Sequence, residues 1–202
     1  KKHRGELIVS AEQGNRLEIK DKSGVGGMSL INDGVMSFSI LKEDWLMVLS
    51  REVLESRIEV NYLQAVKISD NRYNVTVKAR LNIENAGTKY LTINGPKDVQ
   101  NIEIQNREIA KTEKLGEGQW RVEFKRKIVG EHQLHFRYQS YYDPQKKLSL
   151  EGIQIVDAKR QRGYLCLFVP GYMSSVPEAV KGEMQKYESR LLPSNLSSPA
   201  ER

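Results

Sequence analysis

Apolar and polar side chains alternate with a strict period of two through most of the chain between Glu55 and Tyr141. A period of two is that of a β-strand with one face buried and the other in water. The pattern therefore predicts antiparallel sheet with a half-buried face. In the clearest run, Tyr73, Val75, Val77, Ala79, Leu81 and Ile83 alternate with Asn74, Thr76, Lys78, Arg80, Asn82 and Glu84.

The size and composition of the chain indicate a globular β protein. Its 202 residues suffice for one large β domain or two small ones, and 39% hydrophobic with 29% charged residues argues against disorder. No apolar run approaches the ~20 residues that span a bilayer. The single cysteine, Cys166, lies in an apolar run, where we expect a buried, inert thiol.

Turn signals divide the chain into three parts. We predict an all-β fold, an antiparallel β-sandwich (Ig-like or extended) with one C-terminal helix. Residues 55–147 are expected to form the Ig-like unit, with about seven strands between 55 and 141. Turns in this unit are predicted at Asp70-Asn71, Asn85-Ala86-Gly87 and Gly130, and a hairpin further upstream is predicted at Asn32-Asp33-Gly34. Short strands in 1–54 are expected to pair with strands in 148–170. Residues 171–202 are expected to hold a helix over 175–191, which has a Ser-Val-Pro-Glu start, and a polar linker.

The net charge of +6 would permit an anionic partner. The basic residues are mixed with acidic ones almost everywhere, as in Arg121, Glu123 and Lys125, which is typical of a solvated face. The distribution argues against nucleic acid as the partner.

The sequence contains short matches to catalytic and ligand-binding motifs, but each lies in the wrong predicted local structure or lacks other residues that the motif requires. Ser39 and Lys42 have the S-x-x-K spacing, but on a predicted strand rather than at a helix start. The glycines at 24–27 lack the residues of a phosphate-binding loop. His132 and His135 should point to opposite faces of an alternating strand. We therefore predict a non-enzyme with no catalytic, cofactor or metal site.

One cluster of aromatic and basic residues is the best candidate for a binding surface. Aromatic rings beside cations can stack against sugars or bases. The alternative is a core strand end followed by a solvated turn at Asp143-Pro144. Burial of the rings would favour that alternative, and an exposed row of rings would favour binding. The candidate set is Arg137, Tyr138, Tyr141, Tyr142, Lys146 and Lys147.

Three segments combine strand and turn residues in a recognisable order: residues 79–87, which end in Asn-Ala-Gly, residues 91–93, and residues 157–164. They resemble parts of large, poorly characterised β-rich bacterial envelope proteins built from serial β-sandwich modules. The chain departs from the pattern with an Asn94-Gly95-Pro96 turn and with Lys159 where an acid is commoner. The resemblance implies a module of a larger protein, periplasmic or in the cell envelope, and supplies no catalytic residues.

The resulting expectation is a non-catalytic scaffold or interaction module that contacts neighbouring domains of the same parent chain. The start Lys1-Lys2-His3-Arg4, with no Met and no signal region, suggests an internal piece of that chain. The alternative is a carbohydrate- or polyanion-binding module that uses the Tyr/Arg/Lys set on an envelope polymer. A β-rich hydrolase is a third reading, which a pair of carboxylates ~5–9 Å apart in a cleft would favour.

Overall fold

The computed structural model describes residues 5–32, 35–172, 185 and 188–194, and within them the chain is all-β. It divides into two compact units, unit 1 (residues 1–57 and 84–87) and unit 2 (residues 58–83 and 88–202).

Unit 1 contains two small antiparallel sheets. Strands β1 (Gly5–Ser10), β4 (Val35–Ile40) and β3 (Val25–Asn32) form one sheet in the order β1-β4-β3. Strands β2 (Asn15–Ser23) and β5 (Leu46–Val53) form the other. The pairing of Asn32 with Val35 confirms the predicted hairpin between β3 and β4. The buried core of the unit is small: Val9, Val25 and Phe38, with partly buried apolar residues packed around them.

Unit 2 is organised by one seven-stranded sheet with the central order β12-β6-β7-β10-β8. A further strand, β11, pairs with β7, and β9 pairs with β10. The hairpin between β6 and β7 is closed by a hydrogen bond from Ser69 N to Arg72 O (2.9 Å), as the Asp70-Asn71 signal predicts. The strands are β6 (Arg57–Ile68), β7 (Arg72–Asn94), β8 (Glu103–Gln105), β9 (Ile109–Gly116), β10 (Gln119–Tyr141), β11 (Gln154–Ile155) and β12 (Ala158–Phe168).

The alternating residues form the core of unit 2. The odd-numbered residues from Tyr73 to Ile83 on β7 are all buried, and so are Leu134, Phe136 and Tyr138 on the facing run of β10. Strand alternation puts every second side chain on one face, so the polar residues between them remain on the other. A smaller cluster on β6 joins Leu63 to Leu192, with Tyr164 and the partly buried Cys166, the single cysteine of the chain, against it.

Two turns predicted in the middle of the sheet are irregularities within long strands. Asn85 and Gly130 both have positive φ (65° and 80°), a backbone conformation that Asn and Gly adopt more readily than other residues and that makes them turn signals in a sequence. β7 and β10 nevertheless each run for 23 residues, with register shifts between Glu123 and Gly130. Extra residues in a strand can be absorbed as a bulge. The region from 55 to 141 therefore holds five strands rather than about seven.

The C-terminal strands pair differently from the prediction. β12 lies parallel to β6, with Gly163 opposite Tyr62 and Leu167 opposite Val66. β11 pairs with β7, and the strands of residues 5–53 pair only with one another among the described residues. The edge of β6 away from β7 is the one that β12 fills, and Leu167 there packs against the core.

The predicted helix over 175–191 is not supported. Residues 175–184 and 186–187 of that range lie outside the described residues. The described end of the range forms one 3-10 turn, Ser189–Leu191.

Candidate functional site

The fold divides the predicted Tyr/Arg/Lys set between the core and the surface. Strand alternation on β10 buries Tyr138 and leaves Arg137 and Tyr141 on the opposite face, where Tyr141 is 67% exposed. Lys146 and Lys147 are exposed in the segment after β10, where Lys146 pairs with Asp143 (3.5 Å).

Tyr142, the remaining ring of the set, is partly buried against the core. Its hydroxyl donates to Ser69 O (2.7 Å), and its ring lies 6.4 Å from that of Tyr73. The structure thus brings Arg137 and Tyr141 to one face and gives Tyr138 and Tyr142 packing roles. An exposed row of three rings is not formed.

Polar groups lie around Tyr138, two of them on the buried residues Gln64 and Ser140. The Tyr138 hydroxyl donates weakly to Glu151 O (3.4 Å), to which Gln64 Nε2 also donates (3.3 Å). Nearby, Ser140 Oγ donates to Asp98 Oδ2 (2.5 Å). Burial raises the pKa of Tyr138, and it raises the pKa values of Tyr62 and Tyr73 in the same direction.

These shifts predict that unit 2 loses stability as the pH rises through about 10, the ordinary pKa of tyrosine. The folded chain keeps the buried phenols protonated while the unfolded chain loses their protons, so the contribution is present below that pH and declines above it. Urea unfolding at several alkaline pH values should show a shallower decline for Tyr138→Phe than for the wild type. Equal declines in the two proteins would contradict the assignment.

Exposed apolar side chains are concentrated in unit 1. Ten large ones are between 39% and 71% exposed within fewer than fifty residues, and we call them the unit 1 apolar surface. Large exposed apolar patches mark interaction sites in soluble proteins, and the concentration of these side chains in one unit favours such a role. Its members are Ile8, Met28, Leu30, Ile31, Leu41, Trp45, Leu46, Val48, Leu49 and Val53.

Strand β3 carries three of these side chains on an open sheet edge. Met28, Leu30 and Ile31 are 57%, 71% and 49% exposed, and among the described residues β3 pairs only with β4. Its sequence from Val25 to Asn32 contains no charged residue. Proteins commonly protect a free edge with charges or proline, and β3 has neither.

A polar depression lies on the outer face of unit 2, and we call it the Tyr90 depression. It has a volume of about 230 Å³ and is lined by Tyr90, Lys111, Glu113, Arg121 and Glu123. The residues come from the adjacent strands β7, β9 and β10, whose register pairs Glu123 with Tyr90 and with Lys111. Paired residues point to the same face of a sheet, so the register itself assembles the depression.

The sequence pattern did not single out this depression. Tyr90 stands at the start of a short apolar run, and Arg121 and Glu123 belong to a mixed-charge strand that is typical of a solvated face. The one usable signal is the alternation of Lys111 and Glu113 on a neighbouring strand. It becomes informative only when the register is known.

No protein-family model matches the chain, and no curated protein matches it either. Among the described residues, no helix is long and apolar enough to cross a membrane.

Proposed function

We propose that the chain is a non-catalytic interaction module, β-sandwich in type, belonging to a larger bacterial envelope protein in the periplasm or cell envelope. The observation that carries the interaction role is the unit 1 apolar surface. The envelope assignment rests on the resemblance of residues 79–87, 91–93 and 157–164 alone. Carbohydrate or polyanion binding through the Tyr/Arg/Lys set has less support, because Tyr138 is buried and Tyr142 packs against the core.

The occupant that we propose for this surface is a second copy of the chain, joined through β3. Two copies related by a two-fold axis would add β3 to β3 in antiparallel fashion and extend the sheet across the interface. Such pairing supplies partners for the free backbone N–H and C=O groups of the edge and covers Met28, Leu30 and Ile31.

The charge distribution favours self-pairing at β3. A two-fold axis brings each strand against its own sequence, so charges of one sign approach one another. β3 contains no charge and meets no such repulsion. By contrast, β12, the edge strand of unit 2 beside β6, carries Lys159, Arg160 and Arg162.

The direct consequence is a dimer that a single charge on β3 dissociates. Sedimentation equilibrium of the wild type should show a species of twice the 23.2 kDa chain mass at high concentration. Leu30→Lys puts a charge on the paired strand of both copies and removes an apolar contact, and it should weaken association at least about tenfold, the equivalent of ~1.4 kcal/mol.

Val156→Lys is the matched control, since Val156 is an exposed apolar residue of unit 2 (46%) and should not alter the dimer. A wild type that stays monomeric at all concentrations would refute the second-copy occupant and favour a neighbouring domain of the parent chain. A dimer that Leu30→Lys leaves intact would place the contact elsewhere and refute the role of β3.

A further inference from the structure

The Tyr90 depression has a firm floor in the core of unit 2. Leu91 and Val122, the neighbours of Tyr90 and Arg121 on the opposite face, are both fully buried. The backbones of β7, β10 and β9 are hydrogen-bonded side by side beneath the polar side chains. Groups built on paired strands are held more precisely than groups on loops.

Among the described residues, two of the three cations around the depression form ion pairs, and the third, Arg121, does not. Lys89 Nζ lies 3.1 Å from Glu123 Oε1, and Lys111 Nζ lies 3.3 Å from Glu113 Oε2. Arg121 stands opposite Glu113 in the register, yet its guanidinium makes no ion pair or hydrogen bond with any described residue. A guanidinium presents a planar fork of donors that matches a carboxylate in two parallel hydrogen bonds.

An aromatic ring and two carboxylate acceptors lie beside the Arg121 guanidinium. Tyr90 is 48% exposed, so part of its ring is open to solvent, with Lys89 Nζ 5.8 Å from its centroid. Glu113 and Glu123 keep carboxylate oxygens that can accept from hydroxyl groups, since each oxygen offers more than one lone pair. The site therefore combines an anion-binding fork, hydroxyl acceptors and an apolar ring face.

We propose that the Tyr90 depression binds a carboxylate-bearing sugar, a single uronic acid residue of an acidic polysaccharide. Arg121 holds the sugar carboxylate, Glu113 and Glu123 accept from its hydroxyls, and the Tyr90 ring covers a C–H face. The volume of about 230 Å³ falls below the roughly 300–1,000 Å³ of sites for drug-sized ligands, which suits one ring. This proposal is independent of the β3 dimer.

Binding is tested by NMR titration of the isotopically labelled chain with trigalacturonate at physiological salt. Maltotriose is the control for a neutral trisaccharide, and sodium acetate is the control for a carboxylate without a sugar. We expect trigalacturonate to shift the amide signals of the five lining residues in a saturable way. Maltotriose should cause no shift, and acetate should bind at least about tenfold more weakly, because it lacks the hydroxyls and ring face.

Two variants test the assigned roles. Arg121→Gln should weaken trigalacturonate binding about ten- to a hundredfold, the usual value of a charge-assisted hydrogen bond. Tyr90→Ala should weaken it by a smaller factor. Arg162→Gln removes an exposed arginine from β12 and is the control for net charge, with no effect expected.

Absence of saturable shifts with trigalacturonate would overturn the proposal. Equal affinity for acetate and for trigalacturonate would also overturn it, because it would indicate an unspecific anion contact. A loss of trigalacturonate affinity in Arg162→Gln as large as that in Arg121→Gln would overturn it as well. Circular dichroism of each variant establishes that it is folded before its affinity is compared.

Discussion

Replacing Phe136 by alanine is expected to lower the free energy of unfolding by about 3–5 kcal/mol, a large part of the stability of a domain. Phe136 is fully buried in the second half of β10, opposite Val77 of β7 on one side and Ile104 of β8 on the other. Removing the ring takes away its buried apolar area and leaves a cavity that paired strands cannot easily close. Urea unfolding followed by circular dichroism measures the effect.

Arg137→Ala is the matched control for this substitution. Arg137 is the next residue of β10 and is exposed on the opposite face of the same sheet. We expect its change to stay within about 0.5 kcal/mol, the usual range for surface positions. Similar losses in the two variants would contradict the division of β10 into a core face and a solvent face.

The second large effect is expected from Gly163→Ala. Gly163 pairs with Tyr62 across the parallel β12–β6 ladder, and the Tyr62 ring lies directly over it. An added Cβ would stand 2.2 Å from Tyr62 Cζ and 2.3 Å from Cε1, far inside van der Waals contact. Because the ring is packed against the core, the clash should cost about 1–3 kcal/mol of unfolding free energy.

A double-mutant cycle with Tyr62→Ala separates this clash from any general loss at the strand edge. Removing the ring relieves the contact, so Gly163→Ala should cost much less in the Tyr62→Ala background, with a coupling energy of about 1 kcal/mol or more. Full additivity would contradict the close approach of Tyr62 to Gly163.

Most of what could be predicted from the sequence depends on the alternation of apolar and polar side chains. It correctly indicates which residues of β7 are buried, from Tyr73 to Ile83, because period-two burial is a local property of a strand. The same alternation, applied strictly, separates Tyr138 from Tyr141. Tyr138 and Tyr141 both belong to the candidate set because that set rests on closeness in sequence and not on which face of β10 each residue occupies.

Features that depend on distant pairing could not be predicted in the same way. Asn85 and Gly130 carry genuine turn signals, and only the continuing ladder between β7 and β10 turns them into irregularities within strands. The parallel position of β12 depends on which sheet edge remains free. Glu113 and Arg121 face one another solely through the β9–β10 register, so the Tyr90 depression has no contiguous motif.

The pairing of β3 with a second copy is tested most directly by hydrogen–deuterium exchange at its backbone amides, in dilute and in concentrated samples. Met28, Leu30 and Ile31 lie on the open edge segment. Strand addition predicts that amides of this segment exchange more slowly as concentration rises, while those of the Tyr90 depression do not change. Exchange of the β3 amides at one rate across the whole concentration range would contradict the proposed self-association.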